Sequence, residues 1–169
     1  MSNLILNRDF YGQETLWVAK NLLGKVLKFS EYHGVITEVE AYIGQDDPAC
    51  HAAKGYTKRT AVMFGLPGYS YVYLIYGMYY CLNIVTEGEG FPAAVLIRGI
   101  NLFKPMSLSI DGPGKLCKML NISTINNNVD LTVHNDFCVY DSDHHPNYKS
   151  TSRVGIKKGI DKLWRFKAL

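Results

Sequence analysis

Between Tyr69 and Gly99 the chain carries three runs rich in tyrosine and β-branched residues, joined by connections too short to be anything but turns. Residues 69–75 and 79–86 are linked through Tyr76-Gly77, and the run AAVLIRG follows the turn EGEG. Parallel neighbours would need a crossover of about a dozen residues or more, so this stretch predicts an antiparallel meander. The runs KVLKFS and VITEVEAYI predict a second hairpin across EYHG, a turn ending in glycine. Apolar residues recur at helical spacing from about Glu14 to Leu23, with Gly24 placed for a left-handed cap. A short helix is expected in GPGKLCKMLNI, with Leu116, Met119 and Leu120 on one side. DLTVHNDFCVY reads as a last hairpin around Asn135-Asp136. The expected fold is α+β: a single compact domain over residues 1–169 with a curved, mostly antiparallel β-sheet, flanking helices and a protruding β-hairpin.

Several function classes fall away on composition. With 47% hydrophobic and 20% charged residues, the 169-residue chain has an ordinary globular balance. The opening MSNLILNRDFYG meets Arg8 and Asp9 before any signal-like apolar core forms, so secretion is not expected. No stretch approaches the roughly 18 apolar residues needed to span a bilayer. The expected location is cytoplasmic, nucleoid-associated in a bacterium, or nuclear. Cys50, Cys81, Cys117 and Cys138 show no metal-ligand or disulfide spacing and read as buried thiols. The cluster DSDHHPN has no companion ligands and reads as a polar turn, so no metal is assigned. A net charge of +3 and the basic tail around Lys157, Lys158, Lys162, Arg165 and Lys167 suit an anionic partner, although a solvated basic end is the commoner arrangement.

Four places carry candidate chemistry. In VITEVEAYI strict alternation puts Val35, Thr37, Val39, Ala41 and Ile43 on one face and Ile36, Glu38, Glu40 and Tyr42 on the other. That second face is either a solvent face, since glutamates are mostly exposed, or a reactive surface of two carboxylates and a ring. His51 lies in a long irregular segment, and such segments are uncommon unless functional. Arg98, set in an apolar strand, needs an acidic partner, an anionic ligand or a route to water.

The tyrosine-rich hairpin is the fourth place. Tyr69, Tyr71 and Tyr73 share one face, while Val72 and Leu74 share the aliphatic one. A ring at the hairpin tip, as Tyr76 would be, cannot easily bury itself in the protein's own interior. Two readings stand: an aromatic-rich core pair, or a stacking platform or wedge for nucleic acid.

Taken in order, ITEVEAYIGQDDPACHA, YVYLIYGMYYCLNI, VLIRG, GPGKLC and RVG resemble the alkyladenine (3-methyladenine, methylpurine) DNA glycosylase family over nearly the whole chain. The resemblance implies a monofunctional base-excision-repair enzyme. Such an enzyme flips alkylated or deaminated purines (3-methyladenine, 7-methylguanine, hypoxanthine, ethenoadenine) out of duplex DNA and hydrolyses the N-glycosidic bond, leaving an abasic site. By matching position, Glu40 is implied to activate the water, with Arg98 helping to hold it. Tyr42, His51 and Tyr73 would sandwich the extruded base, and Asn83 would crowd its minor-groove edge. Tyr76, with Met78 beside it, would fill the vacated place in the stack. Lys58 and Arg59 stand as candidate phosphate contacts. No cofactor is implied, and the expected partner is double-stranded DNA containing damaged purines, bound by a monomer without a membrane. The chain departs from the family pattern after Arg98, where the segment before GPGKLC is shortened and begins Gly99-Ile100. A non-catalytic nucleic-acid-binding module with an aromatic hairpin is the alternative that residues alone leave open.

Overall fold

The computed structural model describes residues 3–169. Its strands are β1 (Val26–Phe29), β2 (Tyr32–Ile43), β3 (Ser70–Ile75), β4 (Tyr79–Val85), β5 (Ala93–Lys104), β6 (Leu108–Asp111), β7 (Phe137–Tyr140), β8 (Tyr148–Thr151) and β9 (Arg165–Ala168). Three helices accompany them: α1 (Arg8–Tyr11), α2 (Thr15–Leu22) and α3 (Pro113–Leu120). All nine strands belong to one antiparallel sheet in the order β3-β4-β5-β2-β1-β7, with β6 added to β5 and the β8–β9 pair added to β2. The α+β domain and its curled antiparallel sheet agree with the sequence reading, and so does the β3-β4-β5 meander.

The two twelve-residue strands β2 and β5 form the spine, and each changes its outer partner halfway along. β2 pairs with β1 through residues 32–35 and with β9 through residues 38–40. β5 pairs with β4 through residues 94–96 and with β6 through residues 99–102. The register between them slips at the same level, around Thr37 on one strand and Arg98 on the other. Strict alternation fails here. Core residues run Ile36, Val39, Ala41 on β2 and Val95, Ile97, Ile100, Leu102 on β5. The odd steps from 36 to 39 and from 97 to 100 each mark one extra residue, as a β-bulge inserts. Ile36 therefore joins the core instead of sharing a face with Glu38 and Glu40.

Two further expectations are corrected. The turn after β1 is Ser30-Glu31, with Ser30 at φ 53, and Gly34 lies inside β2 opposite Leu27. The space there is tight, since a Cβ would lie 3.0 Å from Leu102 Cδ2 and 3.3 Å from the Asn101 carbonyl oxygen. DLTVHNDFCVY does not form a hairpin: Asp130 is held by Arg8 at 2.5 Å and caps Thr132, and β7 pairs with β1 instead. The shortened segment after Arg98 is the end of β5 and its return as β6.

The core lies between the sheet and the helices. Val18, Ala19 and Leu22 of α2 and Leu116, Cys117 and Leu120 of α3 are buried in it together with Ile36, Ile84 and Ile97 of the sheet. All four cysteines are buried and free. A smaller cluster of Cys50, Ala52, Met63, Tyr71, Val85 and Ala94 ties the long segment between β2 and β3 to the sheet. That segment contains two 3₁₀ turns, His51–Lys54 and Ala61–Phe64. Among the described residues no helix is long and apolar enough to cross a membrane.

Candidate active site

Strand register assembles the floor of the site. Tyr71 stands opposite Asn83, Asn83 opposite Leu96, and Leu96 opposite Glu40, so one row crosses four strands. Tyr73 and Cys81 face each other in a neighbouring row. These side chains line a cavity of about 730 Å³, together with Tyr42, His51 and Arg98.

Glu40 has no exposed surface, which removes the solvent-face reading of its strand. Its carboxylate is held from three sides. The Tyr42 hydroxyl donates to Oε2 at 2.7 Å, the Val154 amide donates to Oε1 at 2.6 Å, and Arg98 Nε lies 3.6 Å from Oε1. A carboxylate oxygen accepts more than one hydrogen bond, so capacity remains for a further donor such as water. Burial and the adjacent Glu40 charge push the Tyr42 phenol well above its ordinary value, which keeps the donor protonated. Arg98 finds the acidic partner its apolar strand called for, donating from Nε to Glu38 Oε1 at 3.0 Å. For Glu38, burial alone would raise the carboxyl. The hydrogen bonds from Arg165 and Arg98 outweigh it and hold the group below the usual carboxylate range.

Beside Tyr73 of that floor stands His51, with the two ring centroids 4.3 Å apart and nearly edge to face. His51 Nδ1 lies 3.1 Å from the Tyr71 hydroxyl. Burial, aided by the Arg59 charge, lowers the His51 ring to about 4, so it is neutral at physiological pH. Asn83 is buried and its side-chain amide donates to the Tyr71 carbonyl at 3.1 Å.

The wall that carries His51 hangs on a side chain sequence reasoning did not single out. Asp47 receives the Ile43 amide on Oδ2 and the Ala49 amide on Oδ1, which fixes the turn leading to His51. It also receives a two-pronged pair from Arg153 at 2.6 and 2.8 Å, with both side chains fully buried. Arg153 donates as well to the Ala41 carbonyl and lies 4.7 Å from the centre of the Tyr42 ring. It does not line the cavity, so it backs Tyr42 from the protein side. Arg153 stands in the RVG motif, whereas Asp47 gave no signal beyond an acidic turn.

At the mouth, Tyr76 is 82% exposed and Met78 65% exposed. Tyr76 and Gly77 both have positive φ, 50° and 66°, as in the turn types that join antiparallel strands. Tyr76, Arg59, Lys157 and Lys158 border the opening. Arg59 lies 5.2 Å from the centre of the Tyr73 ring. Among the predicted residues, Glu40, Tyr42, His51, Arg59, Tyr73, Tyr76, Asn83 and Arg98 converge on one cavity, while Met78 and Lys58 do not line it. Asp141 of the acidic-histidine cluster pairs with Lys25 at 2.7 Å.

Residues 9–168 match the family described as Methylpurine-DNA glycosylase (MPG). A protein of Sodalis glossinidius named "Putative 3-methyladenine DNA glycosylase" is 70% identical over 169 residues, covering 100% of this chain and 99% of the relative. One of Wolbachia pipientis wMel with the same name is 66% identical over 169 residues, covering 100% of this chain and 94% of the relative.

Proposed function

The chain belongs to the methylpurine-DNA glycosylase family, and on that premise we propose that it excises alkylated or deaminated purines from duplex DNA as a monofunctional, monomeric glycosylase acting through one domain. The lesion purine leaves the stack and enters the cavity between Tyr42 and the His51/Tyr73 pair. Glu40 takes a proton from a water as that water attacks the sugar C1′. The glycosidic bond breaks with its electron pair going to the purine nitrogen, so a cationic alkylated purine leaves neutral and a deaminated one leaves as an anion that takes a proton from water, while the sugar keeps a hydroxyl at C1′ with the strand uncut. Arg98 holds the water and the nucleotide, and Asn83 limits space at the purine's minor-groove edge. Tyr76, with Met78 at its side, occupies the gap in the duplex. Arg59, Lys58, Lys157 and Lys158 meet phosphates around the opening.

The single observation that carries this reading is a carboxylate with no exposed surface set in the floor of an aromatic-walled cavity beside an arginine. Breaking an N-glycosidic bond builds positive charge on the sugar, and a fixed carboxylate both stabilises that charge and orients the nucleophile. Stacking contributes roughly 1–3 kcal/mol per base, comparable with the few kcal/mol lost on extrusion, so a base weakened in its pairing tips the balance. A wedge that is exposed before DNA arrives supports the same reading, because the aromatic ring at the tip of the hairpin leaves most of its surface open.

The test is release from a lesion panel in duplex DNA, read as alkali-labile sites, with parent protein beside Glu40→Gln. The parent is expected to release at least one alkylated or deaminated purine. Glu40→Gln should bind lesion DNA but excise about 10²- to 10⁴-fold more slowly, the usual worth of a general base. Release of no lesion by the parent, or full activity in Glu40→Gln, would refute the proposal.

A further inference from the structure

Arg98 carries one hydrogen on Nε and has two carboxylates within reach of it. Glu38 Oε1 is 3.0 Å away and takes the hydrogen bond, whereas Glu40 Oε1 stands off at 3.6 Å. Among the described residues, no protein acceptor takes the hydrogens on its two Nη groups, and neither Nη is sealed from solvent. Arg98 itself lines the cavity. Glu38 does not line that cavity and borders a separate cleft of about 320 Å³ instead.

The Glu38 carboxylate is itself closely fixed. Arg165 Nε donates to the same Oε1 at 2.6 Å, and Lys167 Nζ lies 3.8 Å from Oε2. Its backbone is paired on both sides, with Gly99 of β5 and Lys167 of β9. At Gly99 a Cβ would lie 2.9 Å from Thr37 Oγ1 and 3.1 Å from Glu38 Cβ, so the bare glycine is what lets Glu38 sit there. Gly99, one of the two residues that depart from the family pattern, thus has a local reason. Charge-assisted hydrogen bonds of this kind are about twice as strong as neutral ones, and Glu38 receives two.

We propose that Glu38 is a positioning residue that acts through Arg98. It occupies the Nε hydrogen, turns the two Nη groups toward the cavity, and keeps the guanidinium from closing as a two-pronged pair on Glu40. With Glu38 gone, Glu40 is the remaining carboxylate within reach of Arg98 among the described residues, and that pairing would occupy the lone pairs the attacking water requires. The inference rests on the roles given to Glu40 and Arg98 under the proposed function.

The experiment is single-turnover excision of hypoxanthine from duplex DNA, with lesion binding and thermal unfolding measured on the same proteins. Glu38→Met removes the acceptor and should slow excision by about 10²-fold, the scale of an ångström's misplacement, while lesion affinity holds. Glu38→Gln keeps one acceptor oxygen and should fall between Glu38→Met and the parent. The double variant Glu38→Met/Arg98→Met should be no slower than Arg98→Met alone, since residues acting through one another are not additive. A merely structural glutamate would lower unfolding temperature and binding without that epistasis. Parent-rate excision by Glu38→Met, or a double variant that loses both factors in full, overturns the inference. If Glu38→Met does not fold, the same cycle is run with Glu38→Gln, and a parent rate there overturns it equally. Glu40→Gln separates the two levels: full activity in that variant removes the underlying function, whereas an inactive Glu40→Gln beside a parent-rate Glu38→Met removes only the role of Glu38.

Discussion

Asp47→Asn offers a measurable test of what holds the cavity walls apart. Asp47 and Arg153 are both fully buried and joined by hydrogen bonds of 2.6 and 2.8 Å, so neutralising the carboxylate leaves a guanidinium in the interior without its counter-charge. Breaking one side of a buried pair costs about 3–5 kcal/mol. For a chain of 169 residues, each kcal/mol corresponds to about 2–4 °C, so the melting temperature should fall by about 6–20 °C. Calorimetry or circular dichroism at neutral pH reads this directly. The double variant Asp47→Asn/Arg153→Met removes both charges and should recover much of the loss, because apolar replacement of a buried pair is often close to neutral. It should not recover excision. The guanidinium behind Tyr42 and the full anchoring of the turn before His51 would both be gone. A single variant that melts within about 2 °C of the parent, under about 1 kcal/mol, would show that the pair does not carry the stability assigned to it. A double variant with parent excision would show that it does not set the walls.

Three further outcomes are expected. Tyr76→Ser should leave stability within about 0.5 kcal/mol, since the ring is 82% exposed, yet weaken capture of extruded bases; a large melting shift would return the ring to the core. His51 is held near 4 in the folded chain against an ordinary 6.5, so the unfolded state binds the extra proton first and stability should fall as pH drops from about 6.5 to about 4. His51→Gln should flatten that slope in denaturant titrations, and an unchanged slope would contradict the assignment. Gly99→Ala should destabilise by about 1–3 kcal/mol through overpacking against Thr37 and Glu38, and a neutral result in chemical denaturation would show that the strand can move aside.

The parts of this molecule that follow from short-range chemistry were legible in the sequence. The meander of β3, β4 and β5 follows from β-rich runs separated by turns, and helices α2 and α3 follow from apolar spacing and flanking glycines, whereas the single turn of α1 had no such pattern. Converging residues were reached by a different route. Residue chemistry alone left Glu40 between a solvent face and a reactive one. Resemblance to a family favoured the reactive reading, and the structure places the carboxylate out of solvent. What was not legible depends on partners distant in the chain. The paired bulges at Thr37 and Arg98 appear only when two strands are laid side by side, so period-two counting put Ile36 on the wrong face. The anchoring of the His51 turn requires Asp47 to meet a residue 106 positions away. The expected final hairpin failed because Asp130 is engaged by Arg8, from near the opposite end of the chain.

Glu40 and Tyr42 sit two residues apart on one strand, while His51 follows a turn pinned by Asp47. Under the proposed function, reaction chemistry and slot width are tied together, because Asp47 of that turn pairs with Arg153, which lies behind Tyr42 and next to Val154, the two donors to Glu40. Lengthening or trimming the turn between Gly44 and Cys50 would then shift the His51 wall and the supports of the carboxylate together, so lesion range could not be retuned there without touching the bond-breaking step.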